Sequence, residues 1–220
     1  MTIGGWVWRV PFALLVTLAT IGCKREEKKD PDEVIAKYQA TIVPLADVFD
    51  RVDDSCDASR LEALHEKGTM YLDVDELRGL ARGEVVKSTF PFRAPSVPIA
   101  PPESMDKDRR PIFASRLAQV ESTKLYALVH VEELVKPIVT GPSPGEAKNF
   151  TPGRVRLRIA FVEYPEGKPI CRIDVEAENG PTALVRHEPG SDQFYGLMSD
   201  LQTRTEYAFD RRFNPLIGLQ

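Results

Sequence analysis

Histidine and cysteine are scarce in this chain of 220 residues, with three of each. The histidines are His65, His130 and His187. None stands in the His-x-x-x-His or His-Glu-x-x-His spacing that would place two imidazoles on one helix face. A zinc centre would have to gather three or four ligands from distant segments, so no metal site is expected. The chain also lacks a Gly-x-Ser-x-Gly elbow, a Gly-x-Gly-x-x-Gly turn and a phosphate-binding loop. Those absences leave no catalytic residue and no cofactor to assign from spacing alone. Cations are not in excess, with 29 Lys and Arg against 33 Asp and Glu, which argues against a nucleic-acid partner. No internal repeat is visible.

The acidic residues that crowd at Asp50, Asp53, Asp54 and Asp57 raise the question of calcium. Taking Asp53 as the first loop position puts Ala58 where glycine is required and Leu64 where the bidentate glutamate belongs, so the EF-hand pattern fails. A solvated helix end accounts for the cluster. Asp73, Asp75 and Glu76 lack the glycine as well.

What the chain does have begins at its first residues. Arg9 precedes an apolar run over residues 10–21, then Gly22-Cys23, then the charged stretch Lys24-Arg25-Glu26-Glu27-Lys28-Lys29-Asp30. A basic residue, a short apolar run and small closing residues form the pattern of a secretory signal. Residues 19–23, Ala-Thr-Ile-Gly-Cys, resemble the lipobox of bacterial lipoproteins. That resemblance covers only the processing segment. It implies cleavage before Cys23 and lipidation of its thiol, which would hold the domain to a membrane. With Lys24 rather than aspartate after the cysteine, it points to a lipid-anchored place in the cell envelope, at the outer membrane. Several acyl chains on one cysteine make such an anchor effectively permanent, because each buried methylene contributes about 0.8 kcal/mol. The alternative is one uncleaved anchor over residues 3–22, which just reaches the length needed to span a bilayer. Four cations follow that stretch against one before it, contrary to the charge bias such an outward-facing anchor would carry.

On the lipoprotein reading, residues 1–22 are the signal, 23–30 a charged tether, and the remainder one domain. The whole chain's hydrophobic share of 42% is that of a globular protein. With Cys23 reserved for lipid, Cys56 and Cys171 remain. An oxidising compartment invites a disulfide between them. Tyr38, Ile42, Leu45, Phe49, Val52 and Cys56 recur at helical spacing, and Cys171, Ile173, Val175 and Ala177 alternate as one strand face. Both sulfurs are therefore expected to point to the core, bridged or as two buried thiols.

A helix is expected over residues 31–54 with a kink at Pro44, and a second over 58–67 ending at Gly68. Residues 70–74 read as a strand and 74–82 as a short helix, completing a helical N-terminal part over 31–90. Prolines crowd residues 91–111, which reads as an extended loop. The part over 112–220 is expected to hold strands at 125–131 and 155–161, a hairpin turn at Pro165-Glu166-Gly167-Lys168, and its return strand at 169–178. Residues 137–152 read as a loop and 182–187 as an edge strand. Ser191 is placed to cap a last helix that presents Phe194, Leu197, Met198, Leu201, Thr205 and Ala208 inward and ends near Phe213. The whole is an α+β fold, with N-terminal helices and a C-terminal helix on one face of a small twisted antiparallel sheet. The other face is expected to be wet.

That wet face carries Arg154, Arg156 and Arg158 on one strand, with Arg172, Asp174 and Glu176 on its neighbour. Two roles are open to it: a salt-bridged soluble surface, or a polar binding face for an anionic envelope polymer or another envelope protein. The leading expectation is a non-enzymatic envelope lipoprotein that binds or scaffolds. The alternative is a periplasmic hydrolase that uses His130 or His187 with an acid.

Overall fold

The computed structural model describes residues 30–84, 107–120, 122–139, 150–180 and 193–219. The signal segment with Cys23, the proline cluster up to residue 106, the expected edge strand at 182–187, His187 and the cap at Ser191 lie outside them.

The first helix, α1 (Pro31–Ile42), starts where the Asp30 carboxylate accepts the Asp32 N–H and proline takes an early position that needs no donor. Val43 and Pro44 form a turn, and the helix resumes as α2 (Leu45–Phe49). Proline has no N–H to give and crowds the preceding turn, which breaks the helix there. The helix expected to reach residue 54 therefore ends five residues sooner, and an irregular loop over 50–57 follows. Asp57 caps α3 (Ala58–His65) by accepting the Arg60 N–H. Gly68, at φ +97°, turns the chain into strand β1 (Thr69–Asp73). Asp73 ends β1 and caps α4 (Val74–Ala81), accepting from the N–H groups of Asp75 and Glu76.

A 3-10 turn (Lys107–Arg109) leads into α5 (Arg110–Val120), in the stretch where only the end of a loop was expected. Pro111 sits in the first turn of this helix, where proline is tolerated, and Phe113 and Leu117 bury its inner face. Strand β2 (Leu125–Val135) runs four residues beyond its expected end. Two short strands, β3 (Ile138–Val139) and β4 (Phe150–Thr151), pair within the segment read as a loop. The hairpin of β5 (Arg154–Glu163) and β6 (Lys168–Glu178) turns through a cis Tyr164–Pro165 bond and Gly167. Helix α6 (Gln193–Phe213) ends in a 3-10 turn (Asn214–Ile217), closed by Gly218.

The fold is α+β. Its main sheet has the order β1-β2-β5-β6, and it is mixed: β1 pairs parallel to β2, while β2, β5 and β6 are antiparallel. The expectation of a purely antiparallel sheet fails because α4 and α5 lie in the connection between β1 and β2. A crossover of that kind returns the chain in the same direction.

Helices cover both faces of the sheet, not one. On the first face, Tyr38, Ile42 and Phe49 pack with Leu77, Phe113 and Leu117 over Leu72, Tyr126, Leu128, Ala160 and Val162. On the second face, Leu61, Leu201, Phe209 and Phe213 pack over Leu125, Ala127, Leu157, Ile159 and Phe161. Burial on both faces follows from the side-chain alternation of β5. Its odd positions from Val155 to Phe161 feed the second core. Its even positions divide, with Ala160 and Val162 under the helices and Arg154, Arg156 and Arg158 beyond them. The wet face is therefore half a face.

Candidate functional site

The uncovered half-face is a shelf three strands wide. Register builds it in rows: His130 opposite Arg158 and then Asp174, Glu133 opposite Arg156 and then Glu176, Val135 opposite Arg154 and then Glu178. Directly opposed residues on neighbouring strands stand close enough for their side chains to meet. A bulge in β2 between Val131 and Glu133 inserts Glu132 as an extra residue. Bulges re-aim side chains. Here the Glu132 carboxylate lies 2.6 Å from the Arg158 guanidinium and 3.8 Å from that of Arg156.

All four arginines expected on the wet face have carboxylate partners. Arg158 also stands 3.6 Å from Asp174, and Arg154 lies 4.0 Å from Glu178. Arg172 is 2.5 Å from Asp54 and donates to the Val52 carbonyl at 3.2 Å. The arginines form a spine along β5, and acids form a rail on each side. Counting Arg172 and Asp54, the shelf holds four guanidinium groups against six carboxylates, so its net charge is negative. The outer rail is the more solvated, with Asp174 65% and Glu178 54% exposed against 26% for Glu132.

His130 occupies the corner where the shelf meets the helices. Its Nδ1 lies 3.1 Å from Asp75 Oδ2, and its ring meets Phe49 edge-on at 5.8 Å. A carboxylate can only accept, so Nδ1 carries the proton and Nε2 keeps its lone pair in the neutral ring. Asp75 is itself 3.9 Å from Arg78, which pairs with Asp50 at 2.7 Å. Sequence reasoning missed Asp75 and Glu132 as members of this site. Asp75 is far away in the chain, and the bulge that turns Glu132 inward leaves no mark in an alternation pattern.

The loop over 50–57 borders the shelf on its outer side. It joins α2, on the first face, to α3, on the second, and so passes around the edge of β6. Asp57 donates its N–H to the Ile170 carbonyl, Arg172 holds Val52 and Asp54, and Cys56 is joined to Cys171 by a disulfide. The expectation that both sulfurs face the core fails at Cys56. The helix meant to carry it has ended at Phe49, and residues 53–59 are exposed, whereas Cys171 is buried. Ser55 donates twice to Asp53, and these bonds, more than the nearby Arg172, hold that carboxyl below its usual range.

Away from the shelf, burial is the leading cause of a shift at His65 and Tyr71. Burial lowers the pKa of His65, whose ring packs against Phe213. Burial, with the Asp210 charge as a smaller cause, raises the phenol of Tyr71 to about 12. A cleft lined by Asp30, Pro31, Asp32 and Arg110 is spanned by an ion pair of 2.6 Å and has no histidine, serine or cysteine in its lining. Among the described residues no three His, Cys, Asp or Glu side chains converge as metal ligands, and no helix is long and apolar enough to cross a membrane. No family model, curated protein or solved structure matches the chain.

Proposed function

We propose that this chain is a lipid-anchored protein of the bacterial cell envelope, tethered through Cys23, whose domain acts by binding another envelope protein on the charged shelf. The observation that carries the reading is the pairing of Cys56 with Cys171. It uses both cysteines of the domain, suits an oxidising compartment, and leaves Cys23 as the one thiol available to lipid. The shelf supports the binding role because it is exposed and ion-paired. Its arginines are already neutralised, which favours a protein partner over an anionic polymer.

In-cell photocrosslinking tests the binding role. A photoreactive residue at Val135, on the shelf and 42% exposed, is expected to give a discrete adduct with an envelope protein. The same residue at Tyr207, exposed on α6, is expected to give none. Equal adducts at both positions, or an adduct at Tyr207 alone, would contradict the assignment.

The His130–Asp75 pair favours a second reading, a hydrolase in which Asp75 orients the imidazole and Nε2 acts as a general base. An esterase or amidase activity lost in both His130→Ala and Asp75→Asn, with unchanged thermal stability, would establish it in place of the binding role.

A further inference from the structure

We infer that the partner adds an extended cationic segment along the outer edge of β6, from Asp174 to Glu178; this deepens the binding reading and rests on it. β6 closes the order of the main sheet, and among the described residues only the loop over 50–57 reaches its outer edge, at Ile170–Arg172. Among the described residues, positions 173–178 of β6 make no backbone hydrogen bond outside the sheet. A strand edge of that kind is a template for an incoming extended peptide, held by main-chain hydrogen bonds and chosen by its alternate side chains.

Charge decides which peptide. Asp174, Glu176 and Glu178 project on one side of β6 at every second residue, and all three are exposed. Glu178 and Asp174 each have one arginine at 4.0 and 3.6 Å, at or near the limit of an ion pair. Glu176 faces Arg156 in register, but that arginine has turned to Glu132. An added strand would bring its own alternate side chains to the same spacing, so lysine or arginine at every second position would meet the acidic row. A second copy of this chain would bring acid against acid, which excludes self-pairing along this edge.

The test uses the full acylated chain in detergent micelles, with an eight-residue peptide alternating lysine and threonine as the probe. Binding is expected to slow amide exchange in β6 over residues 173–178 and to weaken as salt rises. In E176Q/E178Q the affinity is expected to fall roughly fivefold, with exchange in β5 unchanged as the control for folding. A peptide alternating glutamate and threonine is expected to give no protection. Three results would each overturn the inference: unchanged β6 exchange with the lysine peptide, equal affinity in the variant, or equal protection by the glutamate peptide. Should any of these occur while the Val135 adduct persists, the edge site falls and the binding role of the shelf stands.

Discussion

Removing the Cys56–Cys171 bridge separates its contribution from that of the contacts around it. The two cysteines are 115 residues apart in sequence, so the bond closes most of the domain into one loop. In the chain-entropy treatment a loop of that length restricts the unfolded chain by about 4.8 kcal/mol at 25 °C. The native contacts that would remain on the loop are the burial of Val52 in the first core, one backbone hydrogen bond from Asp57 to Ile170, and the grip of Arg172 on Val52 and Asp54. Residues 53–59 are exposed and bury little when the loop is seated. For a domain of this size each kcal/mol moves the melting temperature by about 2–4 °C. Cys56→Ser, or reduction of the wild type, is therefore expected to lower it by roughly 10–20 °C. Cys56 is the position to change, because a hydroxyl at buried Cys171 would add a desolvation cost of its own. The assay is thermal unfolding followed by circular dichroism, with and without a dithiol reductant. Reduction should have no further effect on the variant. A drop of less than about 3 °C would refute the reasoning, since the bridge would then restrict little of the unfolded chain.

Four other outcomes follow from the geometry. Asn179 is buried and ties three segments together, accepting from Gly153 N–H and donating to the Leu197 carbonyl and to Asp200. Asn179→Ala leaves the buried Gly153 N–H without its acceptor, while the Leu197 carbonyl keeps its bond within α6, and should cost about 1–3 kcal/mol in chemical denaturation. A Cβ added at Gly153 would stand 2.7 Å from the Val135 carbonyl oxygen and 2.8 Å from the Pro137 nitrogen, both backbone atoms, so Gly153→Ala should be poorly soluble or markedly less stable. Tyr71 holds its proton to about pH 12 when folded and releases it near 10 when unfolded. The unfolded chain binds fewer protons in that window, so stability present below pH 10 falls by about 2–3 kcal/mol as pH rises to 12, and Tyr71→Phe should flatten the loss. His65 has the opposite dependence: its lowered pKa means the unfolded chain binds more protons, so stability present above about pH 6.5 declines as pH falls, and His65→Gln should remove that slope.

The parts of the fold that sequence made legible are those governed by local periodicity. Val155 to Phe161 alternates because one side of β5 is buried throughout, and the turn at Gly167 lies where the hairpin was expected. Leu197, Leu201 and Thr205 are buried along α6 at the spacing that marked them as inward. Strand direction has no such signature. β1 was read at nearly its true bounds, yet nothing in Thr69–Asp73 says that it runs parallel to β2. Helix α5 was hidden by Pro111, a breaker in mid-helix but acceptable in the first turn. The arginine spine was legible as alternate residues of one strand. Its neutralisation was not, because Glu132 reaches it through a bulge and Asp54 through a loop closed by long-range contacts. The His130–Asp75 contact joins residues 55 apart and depends on the parallel placement of β1 before α4.

We propose that a disulfide-closed domain is carried to the envelope on a lipidated cysteine. Intact mass spectrometry of the membrane-extracted protein, before and after reduction, tests it most directly. The expected species is a chain that begins at Cys23, carries added acyl mass, and gains two protons on reduction as the Cys56–Cys171 bond opens. A chain that begins at Met1, with no acyl mass and two free thiols, would contradict it.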